Sequence, residues 1–243
     1  MEYGAFATYF ANVAHLNGIS EIQKDAMEKF YQLSDRLLQE NLKYNLTAIK
    51  DEKDVIVKHF ADSLLISPYI KSGAKVIDVG CGAGFPSLPL AIFRNDITVT
   101  SLDSTAKKID FLNETSHILG LTNITGKAMR AEEASHLPEY REKFDTVTAR
   151  AVASLPVLSE LCLPFAFKDG CFIAMKAKAP EAEIRDSISA IDKCGGMYYK
   201  TVYKSLRSEG SDEEKRSLII IKKIEKTSEI YPRKYARIIK KPL

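Results

Sequence analysis

Lys75-Val76-Ile77-Asp78-Val79-Gly80-Cys81-Gly82-Ala83-Gly84-Phe85-Pro86 decides the fold of this 243-residue chain. Val76 to Val79 is a short apolar run that reads as a strand, and it feeds a turn with glycine at every second position. Glycine lets the backbone take dihedrals closed to other residues and brings bare N–H groups up to a ligand. The spacing is G-x-G-x-G, not the G-x-G-x-x-G of dinucleotide sites. Asp78 stands two residues before the first glycine, where a carboxylate attracts a cationic ligand and repels a pyrophosphate. Asp103 closes the next strand, 19 residues after Gly84, where an acid can accept hydrogen bonds from ribose hydroxyls. Turn and acids together predict S-adenosylmethionine as cofactor, since its amino group and sulfonium are cationic.

Outward from the turn, strand and helix patterns alternate. Leu88, Leu90, Ala91 and Ile92 open a helix in which Pro89 is tolerated because it falls in the first turn. Ile97 to Leu102 reads as a second strand, and Lys107 to Leu119 as a helix with Ile109, Phe111, Leu112 and Ile118 inward. Further strands are expected around Ile124, over Phe144 to Ala149, Cys171 to Met175, Met197 to Tyr203 and Leu218 to Ile221, with a helix over Glu181 to Cys194. Alternation of this kind predicts a parallel α/β sheet covered on both faces. The last two strands have no helix between them and should pair as an antiparallel hairpin.

Before the first strand the periodicity is helical. Tyr3, Phe6, Tyr9, Phe10 and Val13 form one stripe, and Met27, Phe30, Leu33, Leu37 and Leu38 another. Ser20 with Gln23 resembles a capping box for the second helix. A third helix is expected to start between Asp51 and Asp54 and to carry Val55, Ile56, His59, Phe60 and Leu64. Residues 1–70 are thus expected to be a helical cap and 71–243 a methyltransferase domain.

Composition places few further limits. The chain is 45% hydrophobic and 28% charged, an ordinary balance for a soluble domain. No apolar run reaches the roughly 18 residues that span a bilayer, and the N-terminus lacks a basic signal-like region. A cytoplasmic protein is expected, with Cys81, Cys162, Cys171 and Cys194 reduced, no metal site and a monomeric state. Lys222, Lys223, Lys226, Arg233, Lys234, Arg237, Lys240 and Lys241 face only Glu225 and Glu229 across the last stretch, so a polyanion would be met there.

Several blocks resemble one family. Asn45-Leu46-Thr47-Ala48-Ile49, His59-Phe60-Ala61-Asp62-Ser63-Leu64 and Asp78 to Pro86 are similar to the bacterial 16S ribosomal RNA (guanine-N7) methyltransferases, also called glucose-inhibited division protein B. Leu102-Asp103-Ser104, Lys107-Lys108, Arg130-Ala131-Glu132, Thr148-Ala149-Arg150-Ala151 and Tyr231-Pro232-Arg233-Lys234 follow in the same order. The chain departs from the commoner pattern at Ser87, where glycine is frequent, and at Lys108, where arginine is.

The resemblance implies a Rossmann-like seven-stranded methyltransferase sheet with an N-terminal helical cap. It implies methylation of N7 of one guanine in the 530 loop of 16S rRNA, on the naked RNA or the small ribosomal subunit. Carried over by motif, Gly80 and Phe85 line the cofactor site, Asp103 holds the ribose, Ala131 and Glu132 sit by the adenine, and Arg150 reaches cofactor or substrate. Asp78, Gly82, Gly84 and Ser104 complete the expected cofactor set. Arg150, Lys176, Arg233 and Lys234 are the expected phosphate contacts. No proton-transfer residue is expected, because N7 already carries a free lone pair.

Plainer readings stand beside these. Phe85 can pack the sheet edge, Lys176 can snorkel from its strand, and Asn45 reads best as a turn or cap residue. His59 and Asp62 fit a structural pair inside the cap as well as a substrate contact. At the level of the whole chain, a small-molecule or protein methyltransferase, a nucleotide-binding oxidoreductase and a non-enzymatic ribosome-binding factor remain alternatives.

Overall fold

The computed structural model describes residues 1–177, 181–210 and 213–243. The strands are β1 (Lys75–Val79), β2 (Thr98–Asp103), β3 (Ile124–Ala128), β4 (Phe144–Arg150), β5 (Ala166–Lys176), β6 (Gly196–Leu206) and β7 (Glu214–Lys223). They form a seven-stranded sheet in the order β3-β2-β1-β4-β5-β7-β6. The first five run parallel, and β7 lies antiparallel between β5 and β6. This is an α/β Rossmann-like sheet, and the expected terminal hairpin is present. The strand order reverses between β1 and β4, so the crevice beyond their carboxyl ends is where such sheets bind ligands.

The preceding segment is helical: α1 (Tyr3–Leu16), α2 (Lys24–Tyr44), α3 (Glu52–Asp54), a π-helix over Val55–Ala61 and α4 (Asp62–Leu64). Asp51 caps α3, its carboxylate accepting from the Asp54 amide at 3.0 Å. The capping box expected at the second helix is not formed. The helix begins at Lys24, with Gln23 at its N-cap and no side-chain cap. Ile19 and Ile22 are packed against the core, so apolar anchoring holds the approach to the helix in place of a local hydroxyl. The π-wound turn was not foreseen either, since its apolar residues fit a regular helix about as well.

Around the sheet lie α5 (Ser87–Phe93), α6 (Ala106–Ile118), α7 (Ala131–Ala134), α8 (Leu155–Cys162), α9 (Glu181–Lys193) and α10 (Tyr235–Lys240). Successive strand residues point to opposite faces: Val76 joins one buried cluster and Ile77 the other. The Val76 face is covered by the N-terminal helices, so that Phe6, Phe10, Phe30 and Phe60 share a continuous core with Val99, Ile109 and Leu112. A chain of rings runs through it, Phe10 to Phe30 at 5.0 Å, Phe30 to Phe60 at 5.1 Å and Phe60 to Phe85 at 6.3 Å between centroids. The helical cap is therefore welded to the glycine turn. Among the described residues no helix is long and apolar enough to cross a membrane.

Phe30 is fully buried at the centre of this chain. Phe30→Ala is expected to lower unfolding stability by about 3–5 kcal/mol while leaving one transition. Denaturation followed in parallel by circular dichroism and tyrosine fluorescence checks this; separate cap and sheet transitions would contradict the shared core.

Candidate functional site

The glycine turn sits at the end of β1, at the point of strand reversal. Gly80, Gly82 and Gly84 have φ of 75°, 57° and 92°, all in the region that disfavours a Cβ. Gly80 is also sterically closed, because an added Cβ would lie 2.6 Å from Val152 Cγ2. The amides of Gly80 and Cys81 donate to the Leu102 carbonyl at 2.8 and 3.0 Å, tying the turn to β2. Beyond it opens a cleft of about 760 Å³, lined by the turn, the ends of β2 and β4, the start of α7 and the helical cap.

Two acids flank the turn and behave differently. Asp103 is on the cleft wall, its carboxylate accepting from the Gly82 amide at 2.9 Å and the Thr105 amide at 2.8 Å. Each oxygen keeps a lone pair for a further donor, as a ribose hydroxyl would require. Asp78 is fully buried behind the turn and does not line the cleft among the described residues. Its Oδ2 accepts from the Ser87 hydroxyl at 2.5 Å, and Oδ1 is buried with no partner among the described residues. Burial pushes the Asp78 carboxyl up to about 7, against the pull of the Ser87 hydrogen bond. The expectation that Asp78 faces a cationic ligand is thus corrected: it is enclosed behind the turn and bonds to the first residue of α5. Ser87, where the resembling family commonly has glycine, supplies that acid with a donor.

Opposite the turn, the π-helix and α4 present Lys58, His59 and Asp62 to the cleft. Arg150, at the end of β4, donates from Nη1 to the Lys58 carbonyl at 2.9 Å and to Asp62 Oδ2 at 3.1 Å, and from Nη2 to His59 Nδ1 at 3.0 Å. A guanidinium only donates, so His59 Nδ1 must be the bare nitrogen and Nε2 carries the proton. Nε2–H then donates to Thr47 Oγ at 2.8 Å. Burial lowers His59 to about 3, with the Arg150 charge adding to the effect. The neutral ring lies flat on Phe85, 4.2 Å between centroids and 8° between planes, and Arg150 stands 5.6 Å from the same Phe85 centroid. Asp62 Oδ1 accepts from Arg216 Nε at 2.8 Å, so one buried carboxylate neutralises parts of two guanidiniums.

The Thr47 end is held from the cap. Asn41 Oδ1 accepts from the Thr47 amide at 2.8 Å, and Asn45 takes the left-handed C-cap conformation, φ 50°, that closes α2. Asn45 is a cap residue, as its type suggested.

Of the expected residues, Gly80, Gly82, Phe85, Asp103, Ser104, Ala131, Glu132, Arg150 and Lys176 all line one cleft. Lys176 is tethered there, donating to the Ala153 carbonyl at 2.7 Å and to Glu183 at 2.8 Å. Gly84 lies off the cleft, and its missing side chain makes room for Leu88, whose Cδ1 would be 2.6 Å from a Cβ. Lys234 is also outside the lining, at the start of α10. Arg233 is corrected as a phosphate contact: its guanidinium turns inward onto fully buried Glu160, Nε to Oε1 at 2.8 Å and Nη2 to Oε2 at 2.6 Å. Lys223 is likewise buried, so the basic tail is not one continuous free surface.

Lys58, Lys108, Arg216 and Tyr235 line the cleft without having been singled out as site residues. For Arg216 and Tyr235 no local pattern marks them, because they arrive from β7 and the C-terminal segment. Among the described residues the cleft lining carries six basic side chains (Lys58, Lys108, Arg130, Arg150, Lys176 and Arg216) against three carboxylates. Such a balance suits a polyanion entering beside a neutral or cationic small molecule.

The GidB family, described as rRNA small subunit methyltransferase G, matches residues 24–211. Curated relatives bearing the name Ribosomal RNA small subunit methyltransferase G include one from Acetivibrio thermocellus, 44% identical over 91% of this chain and 90% of its own length. Another, from Desulforamulus reducens, is 44% identical over 93% of this chain and 92% of its own. A third, from Clostridium botulinum, is 42% identical over 92% and 93% respectively. Solved structures similar in fold include the YcgJ protein of Bacillus subtilis, TM-score 0.53 at 16% identity, covering 69% of this chain and 100% of that one. A SAM-dependent methyltransferase of Methanosarcina mazei reaches TM-score 0.50 at 17% identity, covering 66% and 98%.

His59 titrates at about 3 in the folded chain against 6.5 when free. Between those values only the unfolded state takes the proton, so the group lowers stability as pH falls through that window and has no effect above it. His59→Gln is expected to remove this contribution, so that the slope of stability against pH becomes smaller between about pH 6.5 and 3, with the oppositely signed slope of buried Asp78 left uncompensated. Denaturant midpoints across that range check this; an unchanged slope would mean that His59 is not held neutral.

Proposed function

The chain belongs to the rRNA small subunit methyltransferase G (GidB) family, and on that footing we propose that it transfers a methyl group from S-adenosylmethionine to N7 of a guanine in bacterial 16S rRNA. The observation that carries the reading is the single cleft in which the Gly80 turn, Asp103 and Arg150 converge under a basic rim. A ribosomal substrate puts the protein in the bacterial cytoplasm.

The residues present suit this cofactor. Gly80 lines the cleft with bare backbone, and packing against Val152 excludes a side chain there. Asp103, with lone pairs free, is the acceptor for ribose hydroxyls. Leu102, Met129 and Ala131 give apolar surface for adenine, and Glu132 gives an acceptor beside it. When bound, the cofactor supplies a methyl group on a cationic sulfur.

The reaction moves no proton. The N7 lone pair takes the methyl group, the bonding pair stays with sulfur, and the positive charge passes to the guanine ring. The cleft therefore needs alignment more than acid–base chemistry. His59 is not placed to act as a base, because Nδ1 accepts from Arg150 and Nε2 carries its proton to Thr47. Its contribution is to fix the Arg150 guanidinium and the Phe85 ring that together wall the cleft. N7 faces a groove that is deep and narrow in A-form RNA, so the target must be a looped-out or distorted base. Lys58, Lys108 and Lys176 on the lining are suited to hold its flanking phosphates.

Incubation with labelled S-adenosylmethionine and unmodified 16S rRNA or small subunits is expected to label one guanine at N7, read by strand scission at 7-methylguanine. Absence of transfer in every assembly state would overturn the reading. Asp103→Ala is expected to weaken S-adenosylmethionine binding at least about tenfold, the loss of charge-assisted hydrogen bonds worth roughly 1.5–3 kcal/mol, as measured by calorimetry.

A further inference from the structure

The chain beyond β7 is fastened to the sheet at nearly every step. Lys223, fully buried, donates to the carbonyls of Leu163 and Cys194 at 3.1 and 3.0 Å and to the Thr227 hydroxyl. The Thr227 amide donates to Glu142 at 2.8 Å. Arg141 holds the next stretch through the carbonyls of Thr227, Ser228 and Tyr231, at 2.8, 3.0 and 3.1 Å. His136 Nε2 donates to the Pro232 carbonyl at 2.9 Å, and Arg233 closes the series on buried Glu160.

Fastening a tail with buried or half-buried charges is costly unless each is fully paired. Here Lys223 and Arg233 are paired with Glu142 and Glu160, and Arg141 is satisfied by backbone carbonyls. The result is a defined position for the chain two residues beyond Arg233. There Tyr235 lines the cleft as the first residue of α10, a helix anchored by buried Ile238. Its ring lies 5.9 Å from the Arg130 guanidinium carbon. Arg130 immediately precedes Ala131 and Glu132, and the wall there continues through Met129 and Leu161. An aromatic ring on the cleft wall, 36% exposed and steadied by a guanidinium, is a surface on which a flat heteroaromatic group packs.

We infer that Tyr235 walls the adenine side of the cofactor site, so that the C-terminal segment, delivered by the Arg141 and Glu160 fastenings, is part of that site. This rests on reading the cleft as an S-adenosylmethionine site. The charge of the tail is then secondary to its reach: the segment serves the small molecule before it serves the RNA.

The test is calorimetric titration of the full chain with S-adenosylhomocysteine, for the unaltered protein, Tyr235→Ala and Tyr235→Phe. The expected result is a weakening of about 5- to 150-fold for Tyr235→Ala, the range of an aromatic–base stack, and near-normal affinity for Tyr235→Phe, which keeps the ring. Recovery in the phenylalanine variant separates a ring contact from a folding defect. No binding by the unaltered protein would instead overturn the cofactor reading on which the inference rests. Binding by the unaltered protein with equal affinity in Tyr235→Ala would overturn the inference alone, as would equal weakening in both variants. Normal affinity for S-adenosylhomocysteine with a raised KM for 16S rRNA would assign Tyr235 to the RNA and likewise overturn it.

Discussion

The Arg150 guanidinium is the joint on which the cleft depends. It stands on the last residue of β4 and, among the described residues, bonds to groups from the helical cap: the Lys58 carbonyl, Asp62 and His59. A charge this enclosed is stable only with its donors satisfied, so cap and sheet must meet in one register for the chain to fold. The π-wound turn sets that register by carrying Lys58 and His59 to the strand end. Phe85 completes the joint from the other side, its ring against His59 and its backbone closing the glycine turn. Cofactor turn, cap and strand end are thereby a single mechanical unit.

Charge is distributed to the same end. Asp62 divides its two oxygens between Arg150 and Arg216, and Glu214 takes a second Arg216 nitrogen at 2.9 Å, so the two guanidiniums are matched by two carboxylates. Lys58 approaches Asp54 at 3.0 Å and Glu214 at 3.8 Å, so β7 and the cap are linked across the rim as well. Exposed pairs of this kind contribute little stability. Their effect is to hold long side chains near where phosphates would pass.

Much of this was legible in the sequence, and the limits have physical causes. β1, β2, β4 and the core of β5 and β7 could be read because each holds a short apolar run, and the hairpin because no helix pattern intervenes between Tyr203 and Leu218. Gly80 and Asp103 could be read because backbone geometry and a strand-end acid each demand a residue type. The role of Asp78 could not, since a two-residue offset does not say which side of a turn a carboxylate takes; burial and Ser87 decided it. The inward turn of Arg233 is hidden for a related reason. Basic residues in a tail look alike in sequence, and only the fold reveals that Glu160 lies beneath one of them. Arg216 and Tyr235 were out of reach because their neighbours in space are far away in the chain.

The buried acid behind the glycine turn has a counterpart in the neutral histidine before it. Asp78 keeps its proton up to about 7 in the fold against 3.8 when free, whereas His59 refuses one down to about 3 against 6.5. At about pH 5, unfolding therefore releases a proton from one and binds a proton at the other. Their linkage slopes, of opposite sign, cancel across the overlap of the two windows. For these two groups unfolding amounts to an internal proton transfer, with no net exchange with the buffer. The glycine turn thus lies between two strongly displaced ionisations that oppose each other, and removing either leaves the slope of the other uncompensated.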